Sequence, residues 1–462
     1  MTAPSVMPRI RNERPWIVAT LMLGTITTLL AATIINVAFP ALMDEMHVGH
    51  DTVQWLATGF LAATTATMLA SAWALARFGE RATFIAMLAL FFAGSLLGAL
   101  AWDMDSLVLA RVLQGAAAGV LQPLAMVVLF RVFPLAERGR AMGIYGVGIV
   151  LAPAVGPAIG GALVTGFGWR WIFVLSLPFA IAGIALARRT LANVIVAERH
   201  PFDLAGFVLM AAGLVAALNV PVIGHARGWT SPPLAIVTIA ALALWAAFAV
   251  RESRTPAPLL SLRLFRLRTF SAASIVAVAY GAGLFGTTYL IPVFVQDVAG
   301  YTAAGAGSLM VLPGLALAAA MAVGGRMTDT TQPRFVMIAG LVLFAVSAAL
   351  FALTGAGTGW WTFVAWLVIG RVGLGLLIPA LNVGAVQSLS GHALAQGSAA
   401  INFLRQLGGA AGVNLLAVYL QWRLNALDAA QAPRAYHECF ILVAVAFIVA
   451  IVAAGAARRP GE

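Results

Sequence analysis

Fourteen long apolar runs alternate with short polar stretches, at roughly 16–40, 53–76, 82–101, 107–130, 141–165, 169–187, 203–223, 233–250, 269–296, 303–324, 335–354, 360–388, 395–419 and 440–457. A helix that crosses a bilayer needs about 20 mostly apolar residues. These runs are continuous and rich in Ala, Leu, Val and Gly, unlike the short alternating segments of a membrane β-barrel. The pattern predicts an all-α membrane protein with fourteen transmembrane helices. The first run follows Arg9, Arg11 and Arg14, as in a signal peptide. It exceeds the about 7–15 apolar residues of such a peptide and is read as a retained span.

Composition narrows the chemistry. The 462 residues are 62% hydrophobic and 9% charged, against about 25% charged in a soluble protein. All 27 basic residues are Arg. Without Lys there is no GxxxxGK-type phosphate loop and no Schiff-base lysine. Cys439 stands alone, so no intrachain disulfide or cysteine-based metal site can form. No cofactor or metal is expected.

Charge then sets orientation. Even-numbered connections and both ends of the chain hold twenty Arg, whereas odd-numbered connections hold four, Arg170, Arg227, Arg423 and Arg434. Positive residues favour the inner side, which places both termini in the cytoplasm and the protein in the cytoplasmic (inner) membrane. The net charge of +11 is spread over juxtamembrane loops. It suits lipid headgroups and gives no stripe for nucleic acid, which is not expected as a partner. LRLFRLR at 262–268 reads as an interfacial segment.

The chain also repeats itself. LVLARVLQG at 107–115 echoes LVIGRVGLG at 367–375, and ARFGER at 76–81 corresponds to GRMTDTTQPR at 325–334. This predicts two six-helix pseudo-symmetric bundles, residues 1–190 and 263–462, with two inserted spanning helices in 191–262. Such halves, facing each other around a midplane site, suit an alternating-access carrier.

Several motifs on these spans resemble the major facilitator superfamily, in particular its fourteen-span drug:proton antiporter branch. They are ATIINVAFPAL at 32–42, VQWLATGFL at 53–61, Leu107, Arg111, Gln114 and Gly115 as LxxxRxxQG, GIVLAPAVGPAIGG at 148–161, WRWIF at 169–173, FDLAG at 202–206, PLLSLRLFRLRTF at 258–270 and RQLGGAAGV at 405–413. The resemblance implies a multidrug or small-molecule exporter, with Arg111 helping to couple protonation to substrate binding. It also implies a gating role for the fifth-span motif and for the loop residues Arg77, Gly79 and Asp329. The chain departs from that branch at Ala31, where an Asp is usual, at Ala72 and Ala76, where Gly and Asp are usual, and at Ser176, where an Asn is usual. These departures put the coupling scheme in question.

The residues also carry readings of their own. Pro153 and Pro157 remove backbone donors, and Gly156, Gly160 and Gly161 admit a close neighbour. That suits a helix at a rocking interface, with ordinary small-residue packing as the alternative for these and for Gly115, Gly119, Gly408 and Gly412. Arg111, Arg371 and Arg405 are the formal charges inside spans, where each costs at least about 2.5–3.5 kcal/mol at the helix centre and so needs a cavity or a polar partner. Together with Gln114 they are the candidate coupling and transport residues, although Arg111 is near enough to its helix start to reach towards Asp103 or Asp105. Thr33, Asn36, Gln122, Asn402 and Gln406 are the candidate cavity residues, or else hydrogen-bond between helices.

No Asp or Glu falls within a predicted membrane core. Asp297 and Glu438, beside His437, are the nearest, at the outer ends of spans 9 and 14. A site of amides, aromatics and Arg suits neutral or anionic amphiphiles. The expected protein is a monomeric secondary transporter in the lipid bilayer that exports small organic molecules, with protons as the coupling ion. An uncoupled facilitator or uptake carrier is the alternative, a non-transporting sensor a more distant one. An enzyme is not expected, since no His, Lys or carboxylate lies in the core to serve as nucleophile or base.

Overall fold

The computed structural model describes residues 7–192, 201–355, 357–428 and 431–456. Among them are fourteen helices long and apolar enough to cross a membrane. Spans 1 to 6 are Glu13–Met46, Trp55–Phe78, Glu80–Ala99, Met104–Val132, Leu135–Phe167 and Trp171–Thr190. Spans 7 and 8 are Leu204–Gly224 and Pro232–Arg254. Spans 9 to 14 are Arg268–Asp297, Gly305–Thr330, Pro333–Phe351, Trp360–Val386, Gly391–Ala426 and Ala432–Ala456.

Local chemistry sets the boundaries. Spans 2 and 3 are separated by Gly79 alone, at φ 81°, a conformation that side-chain-bearing residues seldom adopt. Asp103 caps span 4, accepting the Ser106 amide at 2.8 Å while Ser106 Oγ accepts the Asp103 amide. These bonds hold the Asp103 carboxyl below its ordinary value. Thr302 caps the short helical turn that leads into span 10, and Pro232 opens span 8.

Two predicted boundaries were too short. Span 13 runs on through Gln421, Arg423 and Asn425, and span 14 begins before Arg434, His437 and Glu438. The polar residues read as a loop are helical because they satisfy one another. Glu438 accepts from Arg423 at 2.5 and 2.7 Å and from Tyr419 at 3.0 Å. Glu438 is therefore locked in an ion pair, and Asp297 accepts from Tyr436 at 2.5 Å.

The packing has an internal two-fold pattern. Spans 2 and 4, 3 and 4, 1 and 5, 3 and 6, and 1 and 6 pack together, and the same pairings recur among spans 9 to 14. Small residues allow the close approaches. A Cβ at Gly115 or Gly119 would strike the Phe60 or Thr64 carbonyl of span 2, and one at Gly408 or Gly412 would strike Val278 or Ala282 of span 9. Spans 7 and 8 pair with each other, and span 7 leans on span 2. The predicted interfacial segment is a short 3-10 turn, Leu262–Arg266, with Leu264 buried and its Arg residues exposed.

Candidate functional site: a cleft between the two halves

The halves meet through span 5 against span 10 and span 2 against span 13. At the end of the bundle where the even-numbered connections lie (the even-loop end), spans 5 and 10 touch backbone to backbone. A Cβ at Gly139 would strike the Gly325 carbonyl, and one at Gly143 would lie 2.6 Å from the Met321 carbonyl. Asp329, in the last turn of span 10, accepts the Gly139 amide at 2.6 Å and the Arg140 amide at 2.7 Å. An acid of one half thus caps the first turn of a helix of the other, where free amides and the helix dipole favour a negative charge.

Towards the opposite end the halves part. Val155 and Pro157 of span 5 and Val311, Leu312 and Leu315 of span 10 are exposed. Between spans 1, 2, 7, 9 and 13 lies a cavity of about 560 Å³, lined by polar Asn36, Gln54, Thr58, Asn219, Gln406 and Asn414 and by aromatic Trp55, Phe60 and Phe285. Small-molecule sites typically have this size and this mixture of apolar wall and few polar groups. No Asp or Glu lines it.

The three intramembrane Arg have no acidic partner among the described residues, and none lines the cavity itself. Arg111 is 1% exposed. Its Nε donates to the Leu56 carbonyl at 3.0 Å, and Nη1 donates to the Ala31 carbonyl at 3.1 Å and to Gln114 Oε1 at 2.7 Å. Gln114 donates in turn to Ser95. Arg111 does not reach Asp103 or Asp105. Its guanidinium lies 4.2 Å from the centre of the Phe60 ring, whose residue also lines the cavity. Backbone carbonyls and a ring face thus replace the missing counter-ion, and Nη2 is left buried and unpartnered.

Arg371, at the equivalent place in span 12, donates to Thr288 at 3.0 Å. Arg405 donates to Asn402 Oδ1 at 2.8 Å and lies within electrostatic reach of Tyr145 and Tyr280.

The predicted site residues divide accordingly. Asn36 and Gln406 line the cavity. Asn402 is buried beside Met126 of the other half and positions Arg405. Thr33 instead bonds its own helix carbonyls and faces Gly156, and Gln122 is half-buried on span 4 outside the lining.

The fifth-span motif packs inside one half. Gly156 and Gly160 take Thr33 and Ile34 of span 1 into contact, inside one half, and Gly161 makes only an ordinary contact with Val37 at 3.8 Å. Pro157 is exposed on an unbroken helix, and the Pro153 side chain lies outside the described residues. A close contact between halves is made about four to five turns before Gly156, at Gly139 and Gly143. Gly115 packs span 4 on span 2, Gly79 makes a turn, and Arg77 lies exposed beside it. Sequence reasoning missed Asn219, on an inserted span, although a lone amide in the apolar run LVAALNVPV was a visible signal.

Comparison with known proteins decides the family. The Major Facilitator Superfamily profile matches residues 21–413. The chain belongs to the major facilitator superfamily. The transporter is 31% identical over 408 residues to the multidrug resistance protein B homolog of Mycobacterium tuberculosis, covering 87% of this chain and 76% of that protein. It is 30% identical over 448 residues to the uncharacterised MFS-type transporter YcnB of Bacillus subtilis, covering 96% of this chain and 93% of that one. The crystal structure of the human organic anion transporter MFSD10 has the same fold, with a TM-score of 0.67 at 16% identity over 96% of this chain and 99% of that chain. The transporter is not an enzyme.

Proposed function

We propose that this transporter exports small organic molecules across the cytoplasmic (inner) membrane by alternating access, in exchange for protons. Both termini then lie in the cytoplasm, the even-loop end faces the cytoplasm, and the cavity opens outwards. Residues 1–190 and 263–462 are the halves that rock, with 191–262 as the insert between them. The observation that carries this reading is the cleft between the halves, wide at one end and closed at the other by Asp329 on span 5. A two-state interface of this kind is what alternating access requires.

The substrates are neutral or anionic amphiphiles. Amides and aromatic rings line the cavity with no carboxylate, and the Arg111 guanidinium lies against the ring of the lining residue Phe60. Such a site attracts a negative group and gives nothing to balance a dication. A single chain is the transport unit, because its own spans enclose the cavity. The name of the mycobacterial relative, a multidrug resistance protein homolog, supports the export of drug-like compounds.

Purified protein in liposomes, offered a compound panel with and without an imposed pH gradient, tests this. Accumulation against a concentration gradient that collapses with a protonophore is expected. Simple equilibration of the same compounds would replace the antiporter with a facilitator, and robust transport of a divalent cationic dye would overturn the substrate class.

A further inference from the structure

The second half carries a cavity at a place that the first half fills with side chains. The cavity measures about 540 Å³ and lies at the even-loop end of spans 9, 11, 12 and 14. It shares no lining residue with the cleft between the halves. Thr269, Gln332, Arg334, Gln387 and Ser388 give it a polar mouth, and Val276, Met337 and Gly384 belong to its apolar wall.

The internal repeat shows how the space arises. With 367–375 on 107–115 and Asp329 on Ala76, Gly384 stands where the first half has Leu124, and Met337 where it has Phe84. Leu124 and Phe84 are both 0% exposed. The first half also closes this end with an ion pair between Glu80 and Arg131 at 2.9 Å, and Pro333 and Gly391 replace those two residues. Packed interiors leave few gaps larger than a water. A gap of this size, filled in the sister half, is a place for a ligand.

The mouth is basic. Arg334 lines it and exposed Arg268 directly precedes Thr269, while no Asp or Glu lines it among the described residues. The acids nearby are engaged. Glu137, two residues from the lining Leu135, pairs with Arg14 at 2.9 Å, and Asp329 caps span 5. Helix dipoles do not decide the sign, because spans 9 and 11 start here and spans 12 and 14 end here. The Gln387 amide and the Ser388 and Thr269 hydroxyls can donate to a phosphate held by a guanidinium.

Depth supplies the other half of the ligand. Val276 lies eight residues past Arg268, about 12 Å along the helix. The polar layer of one leaflet is only about 5–8 Å deep. The mouth thus sits at headgroup depth, and the wall at Val276 meets the first acyl carbons.

We propose that this cavity binds the phosphate headgroup of an anionic phospholipid in the leaflet at the even-loop end. Basic pockets between spanning helices suit such headgroups. A transported compound would need the cleft between the halves, which this cavity does not join. Leu135 of the first half also lines it, and Gln332 is three residues past Asp329. A seated lipid therefore touches both halves beside the Asp329 contact. The assignment is independent of the direction and coupling of transport.

Native mass spectrometry of the detergent-purified protein, titrated with phosphatidylglycerol or with phosphatidylcholine of the same chains, tests it. The wild type should retain phosphatidylglycerol more tightly. Arg334→Gln should weaken that binding about 5-fold, the effect of one basic residue at a membrane surface. Gly384→Leu should remove the preference by filling the cavity. A Cβ there would meet only Met337 Cε at 3.2 Å and Pro333 Cβ at 3.3 Å closely, so small shifts admit it. Phosphatidylcholine binding and elution volume should not change, and Gln387→Leu replaces either variant that fails to fold. Equal retention of the two lipids by the wild type, or undiminished phosphatidylglycerol binding in the folded variants, would overturn the site. Displacement of the bound lipid by glycerol 3-phosphate would overturn the lipid assignment in favour of a soluble phosphate ester.

Discussion

The two contacts that close the even-loop end are equivalent by the internal repeat but differ in chemistry. Where span 10 meets span 5, Asp329 caps a helix start with two short hydrogen bonds and glycines bring the backbones together. Where span 2 meets span 13, the place corresponding to Asp329 is Ala76, the cap residue Ser390 makes no side-chain bond, and a small void remains. An N-cap is worth about 1 kcal/mol, and a carboxylate on the helix dipole up to about 2 kcal/mol. One side of the closed end is therefore fastened and the other only packed.

The contrast can be broken most severely by filling the tight side. Gly139→Leu forces a side chain into the Gly325 carbonyl. It should leave membrane insertion intact and abolish transport, read as counterflow by protein of normal elution volume. Asp329→Ala should come next, removing about 2 kcal/mol from the closed state and opening the even-loop end roughly 30-fold more often, measured by labelling of cysteines placed there in a Cys439→Ser background. Ala76→Asp should act in the opposite sense and more weakly. Its carboxylate can occupy the void and cap span 13, which should favour the closed end by about 1 kcal/mol, roughly 5-fold, and slow turnover accordingly.

Gly156→Leu is the control within the same helix as Gly139. It presses on Thr33 inside one half, so it should lower the melting temperature and the yield of folded protein through overpacking of about 1–3 kcal/mol. Normal yield with lost turnover would return Gly156 to a gating role.

The span count, the two halves and the three intramembrane Arg were legible because apolar runs and charged exceptions are visible one residue at a time. The pairing of spans was not. GIVLAPAVGPAIGG announces a close approach, but Gly139 and Gly143 ahead of it are small as well, and only the packing tells that Gly156 meets span 1 and Gly139 meets span 10. Two buried carboxylates of the insert escaped for a similar reason. Asp203 and Glu252 lie at helix ends, where sequence predicts solvent, and the segment from Pro258 to Leu260 covers them. The ends of spans 13 and 14 show the same effect, since Arg423 and Glu438 look like loop charges until they are paired.

Distances between spin labels across the even-loop end test the central claim most directly. The wild-type protein should give one short distribution between the ends of spans 5 and 10. Asp329→Asn should add a long population, and Ala76→Asp in that background should restore the short one. An Asp329→Asn distribution identical to the wild type would contradict the account, because the closed end would then not depend on the one cap that joins the halves.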